Sequence, residues 1–206
     1  MKRTKRNTMK LQKAIILLFI VGAVSLMSFT TGTDAGSYEL IIKKSKAEWF
    51  GRKVGGGHEG TVDIKSGSFD VDGMRLTSGE FVIDMTTMVP TDTKGADTKK
   101  LTKHLRGKDF FNVKKYPTSK LVIKESESTG EKTYTITADL TILDQTHEIT
   151  FDAKTLAKSE NFLIASSTIT IDRTKWGITY KSSLVGDAVI RDNFDVKIKI
   201  FGKLKK

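Results

Sequence analysis

The chain has no cysteine. Disulfides, thiolate metal centres and thiol catalysis are therefore excluded, and an exported version of this protein is held together by its core alone. Histidine is nearly as scarce, at three residues in 206. His58, His104 and His147 show no H-x-H or H-x-x-x-H spacing and fall on three separate elements, so no metal site is expected. No G-x-S-x-G is present, and no serine stands beside a histidine in a recognisable catalytic frame. Binding rather than catalysis is the expectation. Also missing is a recurrent amphipathic helix between strands, which argues against a parallel sheet.

Long apolar runs are absent but for one. After "MKRTKRNTMKLQK", with six basic residues and no acid, comes "AIILLFIVGAVSLMSF", Ala14 to Phe29, without a charge. A basic stretch followed by a short apolar run has the form of a secretory leader. It falls short of the roughly 20 apolar residues that a membrane span requires. The small-x-small site at Thr33-Asp34-Ala35 sets the expected boundary: a leader over 1–35, with an uncleaved anchor as the competing reading, and one domain over 36–206. That places the protein in the periplasm or outside the cell.

Charge is read after that removal. The full chain carries 35 basic and 24 acidic residues, net +11. Residues 1–35 take six basic residues and one acid with them, leaving 29 against 23, or +6. This remainder reads as spread along the chain, with "KLKK" at the end as one small cluster, and no nucleic-acid partner is expected.

From residue 36 onward the pattern has period two. Tyr134, Ile136, Ala138, Leu140 and Ile142 alternate with threonines and an aspartate. Ile149, Phe151 and Ala153 alternate with Glu148, Thr150, Asp152 and Lys154; Phe81, Ile83 and Met85 stand against Glu80 and Asp84; and Phe194, Val196, Ile198 and Ile200 alternate with Asp195, Lys197 and Lys199. Strands with one wet and one buried face pair antiparallel. Short polar turns are expected at 65–68, 70–73, 128–131, 143–146 and 157–160, giving about eight strands between Tyr38 and Leu204. Alternation stops from Thr87 to Pro117. There Leu101 and Leu105 lie four apart, Thr98 offers a cap and Gly107 a stop, so a short helix is expected around 98–107. The fold class is all-β: an antiparallel sheet closed into an eight-stranded barrel, with a helical insertion after its first half. Such a barrel is either filled by its side chains or holds one small ligand.

The stretch "HLRGKDFFNVKKYP" at 104–117 sets two phenylalanines and a tyrosine among charges. It resembles the signature of YceI-like proteins, the polyisoprenoid-binding, lipocalin-like family, with His104, Leu105, Asp109, Phe110, Phe111, Tyr116 and Pro117 matching in order and spacing. Gly107 and Asn112 depart from the usual serine and aspartate. "GEFVIDMTTM" at 79–88, "ADLTILDQTHEITF" at 138–151, "IDRTKWGI" at 171–178 and "SKAEWFGRKVGGGHEG" at 45–60 resemble further family segments. Ala138 and Asp144 replace two glycines of the family hairpin. The resemblance covers about residues 38–202. It implies an up-and-down lipocalin-like barrel, export, and for some members a long isoprenoid chain held inside.

On that reading the apolar lining is Trp49, Phe81, Ile83, Met85, Leu105, Phe110, Phe111, Tyr116, Tyr134, Ile136, Leu140, Ile149, Phe151 and Trp176. Arg52, Lys53, His58, His104 and Arg106 are candidate contacts for a headgroup at the rim. The same residues, touching across the axis, make a solid core in a barrel that works through its outer surface. Trp49 and Trp176 also suit core anchors, and His104 suits a hydrogen bond tying the insertion to the barrel. No cofactor is expected beyond a bound isoprenoid lipid or quinone. Burial stabilises by roughly 0.8 kcal/mol per CH₂, so ten buried carbons give about 8 kcal/mol before ordering costs. Membrane contact is expected only through the N-terminal segment or during ligand exchange. The oligomeric state is open, a dimer included.

Overall fold

The computed structural model describes residues 35–182 and 190–206. All but the last residue of the expected leader lies outside them. Thr33–Lys206 forms a compact unit of its own, and every described core residue belongs to it.

Nine strands are described: β1 (Gly36–Leu40), β2 (Lys46–Lys53), β3 (Gly56–Asp72), β4 (Arg75–Pro90), β5 (Thr118–Ser128), β6 (Thr133–Ile142), β7 (Gln145–Lys158), β8 (Phe162–Asp172) and β9 (Ile190–Leu204). They occupy eight places in the wall. β1 and β2 are one strand interrupted by a 3₁₀ turn at Ile42–Lys44, for both lie between β3 and β9. Every other neighbour in the sheet is also antiparallel, and the β3–β4 pairing completes the circuit. The barrel is thus the closed eight-stranded antiparallel architecture that the alternation implies. β6 shows why: Tyr134, Ile136, Ala138, Leu140 and Ile142 are all buried, and the residues between them are not.

Three boundaries differ from expectation. "KSGS" at 65–68 is not a turn; β3 runs through it with a register shift between Ile64 and Ser66. A bulge bends a strand without ending it, and its polar residues mimic a turn in sequence. β4 continues to Pro90, whose missing N–H is tolerated at a strand end. The helix, α1, spans Gly95–Leu105. It starts ahead of Thr98, which sits within its first turns and bonds Thr93 side chain to side chain at 3.0 Å instead of capping. The hairpin after β6 forms without the family glycines: Leu143 and Asp144 take φ of 52° and 57°, as a tight two-residue turn requires.

Chain direction gives the barrel two unlike ends. The turns at 73–74, 129–132 and 159–161 lie at one end. The tip at 54–55, the 91–117 insertion, the 143–144 turn and the segment after β8 lie at the other, here called the mouth. The first end is plugged by aromatics. Tyr38 stacks on Phe69 with centroids 5.4 Å apart, and Phe69 on Phe81 at 6.2 Å. Gly202 makes room for that stack, since a Cβ there would collide with the Phe69 ring.

Candidate ligand-binding site

The inward rings and aliphatic chains do not meet. They enclose a cavity of about 250 Å³. Phe81, Tyr134 and Phe151, which would touch at the centre of a filled barrel, all line it. So do Trp49, Ile83, Met85, Ile136 and Leu140 from the strands, and Leu105, Phe110 and Phe111 from the insertion. Val62, Ile64, Leu76, Ile169, Ile171, Val196 and Ile198 complete an almost wholly apolar wall. Small side chains at Ala47, Ala153 and Ala165 leave the space. At the plugged end the Tyr134 hydroxyl lies 3.3 Å from Thr155 Oγ1, which donates to the Met74 carbonyl. Burial raises the Tyr134 pKa and keeps the phenol neutral.

The insertion forms the mouth's cover. From β4 the chain crosses α1, and Leu101, His104 and Leu105 face the cavity. Phe110 is buried beneath His104, at 4.9 Å edge-on, and Tyr180, at 5.5 Å. His104 also meets Tyr180 edge-on at 4.7 Å. Ring packing, not the expected hydrogen bond, seats this histidine. Phe111 contacts Phe194 of β9 at 6.1 Å. The tie between insertion and wall is Arg106, which donates Nε and NH2 to the Met88 carbonyl at 3.0 and 2.7 Å.

Four expected lining or rim residues are elsewhere. Arg106 is spent on Met88 and does not reach the cavity. Tyr116 is half-buried outside it, with its hydroxyl accepting from Lys115 Nζ at 2.7 Å; Pro117 turns the chain into β5, and the ring follows the outer face. Ile149 packs against the core without lining the cavity, while Phe151, two residues on, lines it; β7 pairs with β8 only from Ala153 onward. Trp176 sits against that unpaired half. It lies in a 3₁₀ turn, Arg173–Trp176, not on a strand, and is 1% exposed. Its N–H donates to the carbonyls of Gln145 (2.9 Å) and Leu140 (3.3 Å), and its ring meets His147 edge-on at 5.0 Å. His147 is consequently not exposed; its Nε2 is buried without a partner. Trp176→Phe removes the donor together with the pyrrole half of the indole. Two carbonyls lose a shared partner and a small void opens, and the expected cost is about 2 kcal/mol in chemical denaturation, with ligand uptake unchanged.

Arg52, Lys53 and His58 reach the cavity at the mouth, beside Arg191. His58 Nδ1 lies 2.8 Å from Asp92 Oδ2, tying β3 to the start of the insertion. Arg52 pairs with Asp195. No group of three His, Asp or Glu side chains suited to a metal occurs among the described residues.

Arg173 went unnoticed in the sequence. It is 4% exposed and lines the cavity. Its guanidinium donates to the carbonyls of Ile178 (2.7 Å), Ile190 (3.0 Å) and Arg191 (3.2 Å), and lies 3.4 Å from Asp192. Burial lowers its pKa, opposed by Asp192 and Asp172. The signal was parity in the sequence: Arg173 continues the alternation of Ile169 and Ile171, although it opens the 3₁₀ turn after β8, and a cation continuing an apolar pattern is informative.

Four aspartates carry pKa values below the usual carboxylate range. In Asp195 the main cause is the hydrogen bond from Arg52; in Asp70, Asp84 and Asp172 it is hydroxyls of Ser37 and Ser78, Thr86 and Thr174 respectively. A depressed folded pKa contributes stability above the unfolded value, about 3.9, and that stability is lost as pH falls through the folded value. The melting midpoint is expected to hold down to about pH 4 and fall below it. Asp172→Asn removes part of that fall, read from midpoints across a pH series.

A "UPF0312 protein" of Pseudomonas putida (strain W619) is 34% identical over 94 residues, 46% of this chain and 47% of that one. One from Photorhabdus laumondii is 33% identical over 103 residues, half of each chain. The chain thus spans about half the length of the curated relatives it matches. Among solved structures, BcnA of Burkholderia cenocepacia superposes with a TM-score of 0.60 at 19% identity, covering 79% of this chain and 98% of that one. A polyisoprenoid binding domain from Saccharophagus degradans gives 0.59 at 14%, covering 82% and 98%. At these identities the likeness is one of fold. The YceI-like domain matches residues 38–201, and the chain belongs to the YceI-like family.

Proposed function

We propose that the protein is an exported carrier that holds one long apolar molecule, isoprenoid- or quinone-like, inside its barrel. The observation that carries this reading is the cavity, which Phe81, Tyr134 and Phe151 line instead of filling. A filled barrel acting only through its outer surface has no use for such a space. Almost all the wall is carbon, so affinity comes from desolvation of the guest, and the wall selects by width and length. The solved relative from Saccharophagus degradans, described as a polyisoprenoid binding domain, supports the same ligand class. A polar head would lie at the mouth, where Arg52, Lys53, His58, His104 and the buried Arg173 converge. On this reading the protein acts by binding. Export to the periplasm or beyond rests on the basic and apolar N-terminal segment, and cell fractionation tests it.

Native mass spectrometry of gently purified protein tests the carrier reading. The expected result is a mass excess that organic extraction removes, or stoichiometric uptake of a prenylated quinone by stripped protein. A bare mass together with no uptake of quinone or fluorescent lipid overturns it.

A further inference from the structure

The positive charge of the barrel domain is not spread along the chain. Residues 91–117 hold seven lysines and one arginine against three aspartates, a net of +5. Residues 36–206 as a whole carry +6, so the remaining 144 positions contribute +1. Nearly the whole excess sits on the segment that covers the mouth. One of its three acids, Asp92, is engaged by His58, while Arg106 keeps its charge and donates to the Met88 carbonyl. α1 divides accordingly. Leu101, His104 and Leu105 face the cavity, and Lys99, Lys100 and Lys103 are exposed on the other side. At the same end the β2–β3 tip presents Val54, 51% exposed, next to exposed Lys53.

We infer that the mouth, through the outer face of α1 and the Val54 tip, docks onto an anionic lipid surface. Clustered lysines near such a surface gain from its negative potential, and a short apolar tip adds burial among the headgroups. The alternatives fit less well. Single-stranded nucleic acid is held by outward aromatics that stack on bases, whereas Phe110 and Phe111 of this segment turn inward and its outer ring, Tyr116, is half-buried with Lys115 over it. A protein partner is anchored by exposed tryptophan, tyrosine or arginine, and α1 exposes none of these: its exposed side chains are Ala96, Asp97, Lys99, Lys100 and Lys103. The surface also lies on the insertion that, together with Tyr180, covers the cavity at that end. Docking there sets the bilayer against the cover, and its bearing on ligand transfer rests on the carrier reading above; the docking itself does not.

The test is vesicle co-sedimentation of a chain beginning at Gly36, which contains the whole barrel and none of the apolar leader. Vesicles of phosphatidylcholine alone are compared with vesicles containing about 30% phosphatidylglycerol. Binding is expected only to the anionic vesicles, and is expected to vanish near 0.5 M salt, where screening is about twofold shorter than at physiological strength. Each lysine at such a surface is worth roughly fivefold, so Lys99→Glu/Lys100→Glu/Lys103→Glu weakens partition by at least about 100-fold. Lys132→Glu/Lys203→Glu/Lys205→Glu, at the opposite end, leaves it within about threefold, the residue of long-range charge. Circular dichroism confirms that both variants are folded. Equal binding to neutral vesicles, equal loss from the two triple variants, or retention by single-stranded nucleic acid without vesicle binding overturns the docking surface. Quinone uptake from detergent by the same variants is expected to match the unsubstituted chain. A failure of uptake with vesicle binding intact would sink the carrier reading and leave the docking surface standing.

Discussion

Ala165→Phe is expected to abolish most ligand uptake while the barrel stays folded. Ala165 lies inward on β8, 3% exposed, and lines the cavity. A phenyl ring there enters space that no side chain occupies, so it displaces guest instead of neighbour. In a packed core the same change would overpack and cost roughly 1–3 kcal/mol of stability. Beside a 250 Å³ cavity the ring gains apolar burial, and the melting midpoint should hold or rise. The ligand loses what the ring takes. Excluding three or four methylenes removes about 3 kcal/mol of affinity, roughly 150-fold. Titration with a prenylated quinone alongside a melting curve separates the two effects. Lower stability with undiminished uptake would mean that the guest sits elsewhere.

Arg173→Met should have the largest effect on stability. Methionine retains the stem and the fit to the wall but removes every donor. Three backbone carbonyls, of Ile178, Ile190 and Arg191, then lose their partner. Each unsatisfied buried acceptor costs about 1–3 kcal/mol; removing the buried cation's own desolvation offsets part of this, leaving about 3 kcal/mol. For a barrel of this size that is roughly 10 °C in the melting midpoint. The loss should be local in origin, so amide exchange at residues 178–182 and 190–192 should accelerate before the rest of the sheet. Arg173→Lys is expected to recover little, because an ammonium cannot span three carbonyls in the fork geometry of a guanidinium. Uniform acceleration across the barrel would contradict this role.

Closure and strand order followed from alternation because each strand buries one face against a single interior. β6 reads correctly residue by residue for that reason. The same logic supplied most of the cavity wall, since inward parity is all that lining requires. It failed where parity was broken by tertiary structure. The bulge at Ile64 to Ser66 carried polar residues that look like a turn. Ile149 has the correct parity yet packs beside the cavity, near the mouth, while Phe151 lines it. Trp176 and Tyr116 are aromatic and adjacent to matched motifs, yet their positions are fixed by a 3₁₀ turn and by Pro117, which periodicity does not describe. Arg173 was visible in principle as a cation on an apolar face, and the lysine concentration in 91–117 needed only a count by segment. Whether the interior is open was not legible at all. Phe81, Tyr134 and Phe151 have the same parity in a filled barrel as in a hollow one, and only distance across the axis separates the two.

That distance is what the most direct measurement should address. An isotope-filtered NOE experiment on the barrel loaded with a prenylated quinone reads which side chains lie against the isoprenoid methyls. The account predicts contacts from those methyls to Tyr134, Ile136 and Phe151, deep in the wall. Contacts confined to outward residues, or none from a bound guest to these three, would contradict it.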